Sequence, residues 1–128
     1  MNKPILCLDW DGVIHPYTKG WLGANIIDDE PLVEGTIAFL LAAVDHFTVV
    51  IYSSRSGQRG GIDAMQRRLK HSAGQCWYDS PAGPGLCNID FASEKPAAFL
   101  TIDDRAICFD GTWPTIESLK SFKSWNKQ

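Results

Sequence analysis

The run PILCLD, residues 4–9, is apolar at successive rather than alternate positions and ends on an acid. A strand with one wet face alternates, so a short continuous run reads as a strand buried on both faces, the habit of a central strand in a parallel sheet. Parallel strands cannot be joined by tight turns, so longer connections, usually helical, must follow. Behind the acidic, proline-marked stretch DDEP, Val33, Ile37, Leu40, Leu41 and Val44 recur at helical spacing and predict a helix over residues 33–44. FTVVIYSS, rich in β-branched and aromatic residues, predicts a second strand. Ile62, Met65 and Leu69 then line one side of a helix whose other side carries Arg67, Arg68 and Lys70. AAFLTIDD predicts a third strand and AICF a fourth, and Pro114 opens a terminal helix with Ile116, Leu119 and Phe122 at three-residue steps. This alternation predicts right-handed βαβ units on a mostly parallel sheet, an α/β fold.

At 128 residues the chain has material for one core, and residues 1–128 read as a single domain. Segments 12–30 and 72–88 break the pattern with clustered glycines and prolines and read as loops. A net charge of −3 gives no broad cationic field, so sequence-independent binding to a nucleic-acid backbone has little electrostatic support. Cys7, Cys76, Cys87 and Cys108 show no CxxC spacing, and Cys7 and Cys108 lie in apolar runs that suit reduced, buried thiols, so neither a zinc site nor a disulfide framework is expected. No apolar stretch approaches the roughly 20 residues of a membrane span, and the charges of MNKPILCLDWDG come too early for a secretory segment. The expectation is a cytoplasmic protein with no membrane partner.

In an open α/β sheet, ligands sit beyond the carboxyl ends of the strands. Asp9 and Asp11 follow the first strand, Ser53, Ser54 and Arg55 the second, and Asp103 and Asp104 the third, with Lys95 just before that third strand. Aspartates crowded in this way raise one another's pKa unless a cation or a shared proton intervenes. An all-oxygen cluster suits a hard cation such as Mg2+, which takes one or two carboxylates plus phosphate oxygens and water. Phosphoryl transfer needs a nucleophile, neutralisation of the phosphoryl oxygens and a proton for the leaving group, and each requirement has a candidate here. Taken singly the same residues have plainer uses: DxDG as a turn, Ser53 and Ser54 as a helix cap, Lys95 as a solvated lysine. Arg55 is placed either on a substrate anion or on a local aspartate. His15 reads as a satisfied or exposed side chain more readily than as a ligand, and Trp21, Trp77 and Trp113 as packing residues before base-stacking ones.

In order, DWDGV, YSSR and KPAAFLTIDDRA resemble the signatures of the haloacid dehalogenase (HAD) superfamily of aspartate-nucleophile phosphohydrolases, over about residues 4–110. The resemblance implies a three-layer Rossmann-like fold. It implies a Mg2+-dependent phosphatase in which Asp9 is the nucleophile that forms an aspartyl-phosphate, and Asp11 the general acid and base with its backbone carbonyl on the metal. By the same resemblance Ser53 binds the transferring phosphoryl group, Lys95 stabilises Asp9 and the phosphoryl oxygens, and Asp103 and Asp104 complete the metal site, Asp9 and Asp11 included. Ser54 and Arg55 are then substrate-binding candidates. The order of Lys95 before the acidic pair argues against a receiver domain, and Asp11 argues for phosphate esters over haloacids. The alternative from another class is a catalytically silent domain that keeps the fold for binding. Neither loop is long enough to fold as a cap, and the open crevice suits a nucleotide, a polynucleotide end or a phosphorylated protein, unless a homo-oligomeric partner supplies a lid.

Overall fold

Along the chain the elements run β1 (Ile5–Leu8), α1 (Thr36–Ala43), β2 (Thr48–Ile51), α2 (Gly61–Ala73), β3 (Asp79–Ser80), β4 (Gly83–Pro84), β5 (Asp90–Phe91), β6 (Leu100–Ile102) and α3 (Ile116–Lys120). They are taken from a computed structural model that describes residues 3–80 and 83–127. Four strands form one wholly parallel sheet in the order β5-β2-β1-β6, with Cys7 opposite both Val50 and Thr101. The expected mixed α/β architecture with a parallel sheet is therefore present.

Leu6 and Leu8 of β1 and Val49 and Ile51 of β2 share one face and pack with Leu40, Ala43, Met65, Leu69 and Ala73 of the helices into a single buried cluster. The order of the strands explains this one-sidedness. The chain steps from β1 to β2 to β5 in one direction, and right-handed crossovers made in one direction lay α1 and α2 on the same face. The opposite face of β1 carries Cys7, which is buried, and continues into the crevice described below. Trp10, fully buried in the same cluster, anchors the turn after β1.

Several expectations need correction. The AICF segment is not a strand: an Asx turn in which the Asp103 carboxylate accepts the Arg105 N–H at 2.9 Å leads the chain off the sheet, and Ile107 and Phe109 are exposed. Cys108 is consequently exposed, although Cys7 is buried as expected. The first helix starts at Thr36 rather than at residue 33, because Gly35 adopts φ 85°, outside the helical region. The terminal helix is a short exposed one that ends before Phe122. Segment 72–88 is more ordered than a loop: it holds the last turn of α2, two single-turn 3₁₀ helices and the antiparallel β3–β4 pair, with residues 81 and 82 outside the described residues. Among the described residues, no helix is long and apolar enough to cross a membrane.

Candidate active site

The parallel sheet brings the three polar strand ends to one edge. A crevice of about 560 Å³ opens there, and Asp9, Asp11, Ser53, Ser54, Lys95, Asp103 and Asp104 all line it. Residues spread over nearly a hundred positions thus meet because β1, β2 and β6 are neighbours running the same way.

The acids divide into two groups. Carboxylate oxygens of Asp9, Asp103 and Asp104 lie within 4.8 Å of one another. Asp9 is pushed up to about 7, first by burial and then by the charges of Asp103, Asp104 and Asp11, against which stands one hydrogen bond from the Trp10 N–H at 2.7 Å. Asp104 is raised as well, by burial and by Asp103 beside it. Arg105 Nε, 3.9 Å from an Asp104 oxygen, offsets part of this repulsion from the exposed side, and the crowding of hard oxygen donors that remains fits a divalent cation of the magnesium or calcium type. Gly12 makes room for it: its φ is +82°, and a Cβ there would fall on the carboxylate of Asp104.

Asp11 stands apart from that cluster. Its two oxygens accept from Arg55 Nε at 2.9 Å and Nη2 at 3.0 Å, a bidentate ion pair with both side chains largely buried. The remaining nitrogen of the fork, Nη1, donates to the carbonyls of Gly23, Ala24 and Ile26. Arg55 is only 2% exposed and is fully engaged, so of its two sequence readings the structure takes the pairing with a local aspartate. The same guanidinium lies 4.7 Å from the ring centroid of Trp21. The loop after β1 is thereby tied to the end of β2 through one buried cation.

Ser53 is buried, and its oxygen accepts the Arg55 N–H at 2.9 Å. Among the described residues no hydrogen bond takes up its own hydroxyl proton, which remains for an acceptor in the crevice. Ser54 is exposed at the rim, and Lys95 is exposed with its ammonium at the crevice. His15 is a satisfied core histidine. Its Nδ1 accepts the Tyr17 N–H at 3.1 Å, which leaves the proton on Nε2, 3.2 Å from the Asp28 carboxylate. His15, Asp28 and Glu30 do sit close enough to hold a cation, but both ring nitrogens of His15 are already engaged and Glu30 accepts from Thr18 at 2.7 Å.

Sequence reasoning left the partner of Arg55 open between two readings and missed two features of the site. Nothing in a single chain signalled that Tyr17 would adopt φ 59° or that Trp125 would donate to the Gly12 carbonyl at 2.7 Å. The chain matches no family model, no curated protein and no solved structure, so the site is judged by its own geometry.

Proposed function

We propose that the chain is a magnesium-dependent phosphohydrolase of the haloacid dehalogenase type, capless and built on the parallel α/β sheet, acting on a phosphate monoester through an aspartyl-phosphate on Asp9. The observation that carries this reading is the meeting of Asp9, Asp103 and Asp104 within 4.8 Å in one crevice that Ser53 and Lys95 also line.

In the first step an Asp9 oxygen attacks phosphorus, and the bond from phosphorus to the ester oxygen breaks as the new one forms. Ser53 donates its hydroxyl proton to a phosphoryl oxygen, and Lys95 offsets the charge that develops there. Bound by Asp9, Asp103 and Asp104, magnesium would supply further neutralisation and favour the ionised form of Asp9 that burial and its acidic neighbours disfavour. In the second step water attacks the phosphorus of the aspartyl-phosphate, and Asp11 as a carboxylate takes the proton. Asp11, paired in bidentate fashion with Arg55, suits that second role as it stands. To protonate the leaving alcohol in the first step its carboxyl must leave Arg55 and take up a proton from water, which it passes to the ester oxygen as the bond to phosphorus breaks.

Beryllium fluoride with magnesium tests the reading without knowledge of the substrate, because it mimics a phosphoryl group on an aspartate. At about 100 times its dissociation constant it should stabilise the chain by roughly 2.7 kcal/mol and raise Tm by several degrees. The shift should require beryllium, fluoride and magnesium together and vanish in Asp9→Asn. An unchanged Tm at saturating reagent would favour the silent binding domain instead.

A further inference from the structure

The crevice is aromatic as well as acidic: Tyr17, Trp21 and Tyr52 line it beside the carboxylates. Exposure of a tryptophan alone means little in this chain, since Trp113 and Trp125 are exposed too. What distinguishes Trp21 is its backing. One face of the ring rests on Arg55, 4.7 Å away, and Arg55 is fixed by Asp11 and by three carbonyls of the very loop that carries Trp21. Arg55 lies behind the ring and outside the crevice wall, while Trp21 itself is 46% exposed and forms part of that wall. Among the described residues no ring or cation covers its other face.

Tyr17 supports the same conclusion independently. It is the one non-glycine residue with positive φ among the described residues, at 59°. A bulky residue in that region is disfavoured and persists only where the surroundings impose it, which is most often at a site of function. Here the imposing group is His15, 2% exposed, which accepts the Tyr17 N–H and is itself clasped by Asp28. Two aromatic residues, Trp21 backed by Arg55 and Tyr17 with its backbone fixed by His15, thus line the crevice that also holds the proposed phosphoryl site.

We propose that Trp21, with Tyr17 beside it, is the seat of a nucleobase, and that the substrate is a nucleoside monophosphate or the phosphorylated terminal nucleotide of a strand. Trp21 and the carboxylates of Asp9, Asp103 and Asp104 line the same crevice, so one ligand can set a base on the ring and a phosphate against the acids. A net charge of −3 gives the chain no broad cationic field for a nucleic-acid backbone, which leaves more of the binding to stacking. The inference uses the phosphohydrolase reading for the position of the phosphate, and the stacking stands apart from turnover.

Isothermal titration in magnesium, with Asp9→Asn protein so that nothing turns over, separates the two. Adenosine 5′-monophosphate or its 3′ isomer should bind about tenfold or more tightly than ribose 5-phosphate, in line with the worth of one stacked base. The preference should disappear in Trp21→Ala and persist in Trp21→Phe, each checked for an unchanged far-UV spectrum. Tighter binding of a 3′-phosphorylated dinucleotide assigns the strand end, and equal or weaker binding the mononucleotide. Equal affinity for nucleotide and ribose 5-phosphate overturns the proposal, and needs no variant to do so; a preference that survives Trp21→Ala overturns the seat. Nucleotide preference without phosphate release by the unsubstituted chain would remove the phosphatase and keep the base site. Release from ribose 5-phosphate as fast as from the nucleotide would do the reverse.

Discussion

Asp9 is the residue on which proton and metal compete. An unfolded aspartate titrates near 3.8, whereas in the fold this one is pushed up to about 7, chiefly by burial and then by Asp103, Asp104 and Asp11. Between those two values the folded chain holds a proton that the unfolded chain has already released. Raising the pH through that interval therefore withdraws stability from the metal-free protein, and the loss is complete once the pH exceeds the folded value. A cation bound to the same carboxylate must displace the proton wherever the proton is still present. The rise in Tm produced by magnesium should be small at about pH 5.5, grow through neutrality and level off above about pH 8. Thermal melts with and without magnesium across that range measure it, and Asp9→Asn should flatten the dependence. A response equal at both ends of the range would place the cation away from Asp9.

At the scale of the elements, the decisive connection is the one Arg55 makes between the end of β2 and the loop after β1. Arg55→Met removes the guanidinium and leaves the Asp11 carboxylate without its partner, with the carbonyls of Gly23, Ala24 and Ile26 each losing a donor. Breaking a buried pair from one side costs about 3–5 kcal/mol, and Arg55→Lys should recover only part of it because an ammonium lacks the planar fork. Urea unfolding of the three proteins measures both, and a loss under about 1 kcal/mol in Arg55→Met would mean that the loop is held by other contacts. The sequence left this connection as one of two readings of Arg55, while the elements it joins were legible. PILCLD, FTVVIYSS and AAFLTIDD contain three of the sheet's four strands, β1, β2 and β6; the apolar runs mark burial in β1 and β2 but not in β6, which is exposed throughout, and the short β5 carries no such run and was not foreseen. AICF has the same apolar character and fails, since composition does not reveal that the turn at Asp103 carries it past the open edge of β6. The convergence of Asp9, Ser53 and Asp104 followed from strand parallelism alone, whereas Lys95 reaches the crevice from the connection after β5, a strand the sequence did not reveal. The choice of partner within that group, Arg55 with Asp11 rather than with a substrate, depends on side-chain geometry that no pattern of residues encodes.

Across the whole molecule the exposed apolar residues after β6 fall into two kinds. Trp113 is 82% exposed and packs ring to ring on Phe109 at 4.8 Å. Trp125 is also half exposed, yet its indole N–H donates to the Gly12 carbonyl at 2.7 Å, and Asn126 next to it donates to the carbonyl of Pro16 at 2.8 Å. Ser124, buried at the start of this turn, completes a clasp that fastens the last described residues onto the loop carrying Gly12. Gly12 in turn lies against Asp104, so the far end of the chain bears on the carboxylate cluster through two contacts. Trp125→Phe keeps the ring and deletes the donor. It should cost about 1 kcal/mol, lower Tm by several degrees and weaken the stabilisation that magnesium provides, because the turn holding Asp9 and Asp104 in register loses one of its supports. Trp113→Phe removes an indole N–H of the same kind from a position with no such partner and should leave both quantities within about 0.5 kcal/mol of the unsubstituted chain. Equal effects of the two substitutions on the magnesium response would mean that the clasp at Gly12 does not reach the metal-binding carboxylates.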